Sequence, residues 1–216
     1  ADLKVALDTL FNHPNVGPFI GRQLIQRLVT SNPSPAYVRR VASAFNDNGQ
    51  GVRGDMKAVI RAVLLDEEAR GDNARKQPSF GRIREPVLRF THLMRALEAS
   101  SRTGYWGIGR TDVPGNLNQT AMRAPSVFNF YRPGYSPAGT PVARAGLVAP
   151  EMQITQESSV AGYADYLDRF VGGSSIYIVG LGDMIPHPDG ERHSGGQARE
   201  IKFNLEPLIA KAKDVD

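Results

Sequence analysis

Pro33-Ser34-Pro35-Ala36-Tyr37-Val38-Arg39-Arg40-Val41-Ala42-Ser43-Ala44-Phe45-Asn46 is the stretch that decides the fold class. Ser34 offers a hydroxyl to the uncapped amides of a helix, and Pro35 supplies the fixed φ of a first helical position. Behind them Tyr37, Val38, Val41, Ala42 and Phe45 recur at helical spacing. Asn48-Gly49 is expected to close this helix in a left-handed cap.

The same grammar extends outward on both sides. Upstream, residues 2–11 place Leu3, Ala6, Leu7, Leu10 and Phe11 on one helical stripe, which Pro14 ends. Pro18 then suits the first turn of a second helix carrying Phe19, Ile20, Leu24, Ile25 and Leu28, stopped by Asn32-Pro33. Downstream, a fourth helix starts near Asp55 and carries Met56, Val59, Ile60, Val63 and Leu64. Residues 70–81 read as a polar connection. A fifth helix follows from Glu85-Pro86 to about Ala99, with Val87, Phe90, Met94 and Leu97 as its stripe. Helices this short are marginal alone, so their apolar faces must pack on one another.

After Ser100 the pattern changes. Residues 101–150 are rich in Gly and Pro and lack periodic apolar runs, with one helical turn expected around 116–123. Pro150-Glu151 opens a further helix with Val160, Ala164, Leu167 and Val171 at helical spacing, closed by Gly172-Gly173. Residues 175–181 are the strand candidate, and residues 205–212 read as a last helix. The expected fold is mainly α: a single irregular multi-helix domain over residues 1–216. It has a helical part (1–100), a loop-rich excursion (101–150) and a helix plus mixed C-terminal part (151–216), with at most a minor β element.

Composition narrows the function classes. With 41% hydrophobic and 22% charged residues the chain is of ordinary globular type. No apolar run approaches the ~20 residues that cross a bilayer. No cysteine is present, which removes thiolate ligands, thiol nucleophiles and disulfides together. Residues 1–110 hold 17 basic against 10 acidic side chains, and residues 111–216 hold 9 against 12. The excess lies at Arg75, Lys76, Arg82, Arg84, Arg89 and Arg95. It has no nucleic-acid module beside it, so a solvated helix face pairing with acids elsewhere is the simpler account.

Several ordered motifs are similar to one family. Asn12-His13-Pro14, Phe19-Ile20-Gly21-Arg22-Gln23-Leu24 and Pro33-Ser34-Pro35-Ala36-Tyr37-Val38 resemble the opening of the well-defined part of the domain-of-unknown-function 1800 family. The run from Gly54-Asp55-Met56 to Leu64-Leu65-Asp66 resembles its next helix, and Arg84-Glu85-Pro86-Val87-Leu88-Arg89 the one after. Ala124-Pro125-Ser126-Val127-Phe128-Asn129-Phe130-Tyr131 and Ala149-Pro150-Glu151-Met152-Gln153-Ile154 complete the series. The resemblance implies a bacterial, exported protein, periplasmic or extracellular. It also implies a C-terminal fragment, with the rest of its own polypeptide packing against it. It transfers no activity, cofactor or functional residue.

The residues themselves offer two surfaces. Tyr105, Trp106, Phe128, Tyr131, Arg132 and Tyr135 concentrate aromatic rings and a guanidinium in the loop-rich region. Such a surface stacks on sugars or anchors a protein, unless the rings pin the loop to the core. His187, Asp189 and His193 supply metal-ligand types, but in a Pro/Gly-rich loop whose spacing matches no metal motif. His13 and His92 fit helix-end or surface roles, and Ser126 lacks the Gly-x-Ser-x-Gly elbow. Gly104–Gly109 neither follows a strand nor opens a helix, so it is not a phosphate loop. The expected function is a binding or assembly protein, without a catalytic site in this fragment, partnered with another exported protein or a polysaccharide. The alternative is a hydrolase, with or without metal assistance, acting on polysaccharide or a phosphate or sulfate ester. No cofactor is assigned.

Overall fold

The computed structural model describes residues 2–101, 106, 108–171 and 201–213. The chain divides into two compact units, residues 1–83 with 131–153 and residues 84–130 with 154–216. The protein is mainly helical, as expected, with ten α-helices and one two-stranded sheet among the described residues.

The first unit opens with α1 (Asp2–Asn12), α2 (Val16–Leu28), α3 (Pro35–Asn46) and α4 (Met56–Leu65). In α3 the Ser34 hydroxyl accepts from the Tyr37 amide at 3.1 Å, with Pro35 in the first turn. Asp55 caps α4 by accepting from Lys57 and Ala58. Ile25, Tyr37, Val41, Phe45, Val59 and Val63 form one buried cluster from α2, α3 and α4. Close approach of α2 to α3 depends on two small residues one turn apart. A Cβ on Gly21 would lie 3.0 Å from Val41 Cγ1, and one on Gly17 would lie 3.3 Å from Phe45 Cδ1 and the Ala42 carbonyl. Glycine inside a helix costs about 0.5–1 kcal/mol; here that loss is offset by tight contact with Val41 and Phe45.

Two expectations are corrected in this unit. The helix α3 does not end in a left-handed cap. Asp47 is extended (φ −154°) and Gly49 takes its positive φ two residues later, inside the following loop. There Asp47 Oδ1 accepts from Gly49 and Gly51, and Asn48 Oδ1 accepts from Gln50 and Val52. The polar connection after α4 is also more ordered than it reads, because Asp66 caps the short α5 (Glu67–Arg70), and α6 (Asp72–Arg75) follows.

The helix α1 buries no residue, and Leu3, Leu7 and Leu10 stay exposed. Its C-terminal end is the part that is tied down. Phe11 lies 6.0 Å from Phe45, and Arg53 donates to the Phe11 and His13 carbonyls while its guanidinium covers both rings.

Residues 131–153 complete this unit without helical periodicity. Asn32 donates to the Val148 carbonyl and accepts from its amide, and Gln26 donates to Ser31 and Pro133. Here α8 (Pro141–Arg144) is capped by Thr140 with Pro141 at its first turn, and a 3-10 turn spans Pro150–Gln153. The helix expected to run on from Pro150-Glu151 is thus interrupted.

The second unit is built on α7 (Pro86–Ala96) and α9 (Glu157–Val171). Phe90, Leu117 and Tyr166 are its buried cluster, with Met94, Tyr163, Leu167 and Phe170 packed against it. The rings of Phe90, Tyr166 and Phe170 lie 5.1–5.3 Å apart pairwise, in the tilted geometries aromatic pairs favour. The buried face of α9 is therefore its aromatic one. Val160 and Ala164, placed on the core stripe by spacing alone, are exposed, because larger rings on the adjoining face bury more area. Residues 116–123 form turns rather than the expected helical turn. The β element pairs β1 (Ser100–Ser101) antiparallel with β2 (Ile201–Lys202), and α10 (Glu206–Lys213) closes the described chain. The strand candidate at residues 175–181 lies outside the described residues.

Replacing Phe45 by Ala removes the ring shared by α1, α3 and Arg53, and should cost about 3–5 kcal/mol in denaturant unfolding. Leu3→Ser should stay within about 0.5 kcal/mol in the same experiment, since that side chain buries nothing.

Candidate functional site

The aromatic candidates divide between the two units. Trp106 and Phe128 belong to the second, and Tyr131, Arg132 and Tyr135 to the first; Tyr105 lies outside the described residues. Their environments also differ. Tyr131 is 2% exposed, and Arg27 stacks over its ring at 4.1 Å from the centroid. That ring is packing. Tyr135 is half-buried, and its carbonyl accepts from the Ala149 amide. Arg132 is exposed, with its amide donating to Gln153 Oε1. Trp106 is exposed. The metal-ligand candidates His187, Asp189 and His193 lie outside the described residues, and among the described ones no group of three or more His, Asp or Glu could hold an ion.

Phe128 is 70% exposed and Val127 is 96% exposed. They sit at the centre of a four-residue turn in which the Asn129 amide donates to the Ser126 carbonyl at 3.1 Å. The Ser126 hydroxyl accepts from the Phe128 amide at 3.2 Å. Asn129 takes φ +70°, and its own side chain accepts from the Phe130 amide. Ser and Asn thus shape the turn from its ends, while its two central positions carry large apolar side chains. Central turn positions normally hold Gly, Pro, Asn or Asp. Met122, wholly exposed with φ +62°, lies a few residues upstream. Sequence reasoning does not single out Val127 or Met122. The signal that could have found Val127 is a pair of apolar residues set between Pro125-Ser126 and Asn129, where a turn holds them out of any helix.

The conspicuous charged groups serve packing. Arg40 clasps Asp66 through two 2.7 Å hydrogen bonds and reaches Glu68 at 3.1 Å, while Ser34 donates to Glu68 at 2.5 Å. Burial by itself raises the Asp66 carboxyl, but the Arg40 hydrogen bonds and the Glu68 amide outweigh it and hold the group below its ordinary value. Arg82 pairs with the buried Glu151 at 3.2 Å, and Arg89 lies over Tyr163. Two of the six basic residues in the sequence cluster are therefore spent within their own unit. A polar cleft of about 910 Å³ near Ser34, Glu67, Glu68 and Phe80 has much of its lining committed in the same way. His13 accepts from the Asn15 amide, and His92 is exposed on α7.

A family model described as a protein of unknown function, DUF1800, matches residues 1–194. The chain belongs to the DUF1800 family. No curated protein and no solved structure matches it. The match takes in the first compact unit of this DUF1800 chain and the second as far as residue 194, including the turn at Ser126 and Asn129 and the buried Glu151. It assigns neither activity nor site.

Because Tyr131 is core and Phe128 is not, their substitutions should separate. Tyr131→Ala should destabilise by about 3–5 kcal/mol, and Phe128→Ser should change stability by no more than about 0.5 kcal/mol, both read by thermal or denaturant melts. Asp66 supplies a pH signature. Its folded value lies below its unfolded one, so its stabilisation is complete above the ordinary carboxylate value of 3.8 and is lost as pH falls through the lowered folded value. Melting temperatures followed from pH 5 to 2 should therefore decline less steeply for Asp66→Asn than for the parent chain.

Proposed function

We propose that this chain is a bacterial binding or assembly protein, acting outside the cytoplasm, which holds a partner protein through the turn bearing Val127 and Phe128. The observation that carries this reading is the presentation of large apolar side chains at the centre of a hydrogen-bonded turn. Leaving them in water brings the free protein no packing. Burying Phe128 against a partner would contribute roughly 1.5–3 kcal/mol, enough for an anchor residue.

The chemistry of the exposed group selects between the two kinds of partner. Sugar recognition uses flat aromatic faces flanked by hydrogen-bonding groups, whereas Val127 and Met122 are aliphatic. Mixed aliphatic and aromatic side chains fit an apolar pocket on another protein. The family resemblance supports an extracytoplasmic site of action.

Photo-crosslinking in the producing bacterium tests the reading. With p-benzoylphenylalanine in place of Phe128, irradiation should yield one discrete protein adduct, recovered from the periplasmic or extracellular fraction. The same probe at exposed Lys57 should not give it. A polydisperse polysaccharide adduct, or identical products from both positions, would count against a protein partner held at this turn.

A further inference from the structure

The first unit contains a second open pocket, about 510 Å³, where the ends of α2 and α4 meet α5 and α6. Leu28, Val29, Leu64, Ala69 and Phe80 form its apolar lining, and Arg70 and Arg75 complete it. Among the described residues no carboxylate lines it. Its volume lies within the roughly 300–1,000 Å³ of small-molecule sites. Leu28 and Leu64, on helices whose other apolar positions build the core, are left partly exposed here.

The two arginines are not equivalent. Arg70 donates from Nε to the Leu64 carbonyl at 2.7 Å, satisfying one of the orphan acceptors that a helix leaves at its C-terminus. That contact accounts for Arg70 structurally. Arg75 has no such partner among the described residues: its guanidinium enters none of the hydrogen bonds or ion pairs found for this unit. Apolar side chains beside two guanidinium groups, with no acid among the lining residues, set positive charge next to an apolar surface. The complement is a molecule with an apolar body and an anionic head, for which guanidinium supplies bidentate, always-charged recognition.

We propose that this pocket binds a small amphiphilic anion, an aliphatic chain ending in a carboxylate or sulfate, with Arg75 on the anionic head and Leu28, Leu64 and Phe80 against the chain. This site lies in the other unit from the Val127–Phe128 turn, so each proposal can fail without the other.

Titration of the full 216-residue chain with octanoate, octyl sulfate and octanol, followed by calorimetry and by amide chemical shifts, tests it. Octanoate or octyl sulfate should bind saturably, with shifts centred on Leu64, Ala69 and Arg75, and preference between the two identifies the head group. Octanol should bind about tenfold more weakly, the loss of one charge-assisted contact. Arg75→Gln should bring the anions down to the octanol level. Leu28→Asp should weaken all three while leaving the melting temperature nearly unchanged. Equal binding of octanol and octanoate, undiminished anion binding by Arg75→Gln, shifts centred elsewhere, or no saturable binding at all would each overturn the assignment.

Discussion

The contact on which the first unit depends is the approach of α2 to α3 at Gly17 and Gly21. With no side chain at either position, Val41 and Phe45 press directly onto the α2 backbone. That closeness puts Ile25 in the same buried cluster as Tyr37, Val41 and Phe45. It also leaves Tyr37 able to donate its hydroxyl to the Val63 carbonyl at 2.5 Å, joining α3 to α4 across the core. A larger residue at either glycine would have to displace backbone or β-branched side chain, neither of which yields cheaply in an interior packed at crystal density. Phe11 and Arg53 then fasten the end of α1 over Phe45, the one place where a ring of that helix meets the core.

Around the two cores, irregular chain is held by side-chain amides and hydroxyls that satisfy distant backbone groups. Asn32 pairs with both polar groups of Val148. Gln119 takes the Val87 amide at the start of α7, a position where Glu85 makes no cap of its own, and donates to the Glu85 carboxylate at 2.5 Å. Tyr166 donates to the Ile108 carbonyl at 2.7 Å. Burying backbone without such partners would cost more than the packing returns, so these few side chains set where the loop-rich segments lie.

The exposed features are what remains when those demands have been met. Arg40, Arg82 and Arg89 are drawn into ion pairs and ring contacts, and Tyr131 is drawn under Arg27. Val127, Phe128 and Met122 are not drawn in, although apolar burial is the main force available to the chain. Their exposure follows from the turn itself, whose hydrogen bonds are made by Ser126 and Asn129. The binding role proposed above rests on these exposed side chains, whose chemistry is that of an apolar anchor.

Helix positions were legible because their determinants are local. Ser34-Pro35 and Asp55 announce capped starts, and Tyr37, Val41 and Phe45 share a face whatever the rest of the chain does. Thr140-Pro141 carried the same start signal for α8, hidden by its Gly- and Pro-rich surroundings. The aromatic stretch at residues 128–135 was legible as a place but not as a site, since spacing cannot tell a ring under Arg27 from a ring in water. The same holds for α9, where two overlapping stripes compete and only the presence of Phe90 and Leu117 selects Tyr166 and Phe170. Sequence by itself determined where the longer helices of the first unit lie and how α3 and α4 are capped. Tertiary structure alone decided which faces are buried, which arginines are spent and which apolar side chains stay outside, because burial is a property of neighbours that lie far away along the chain.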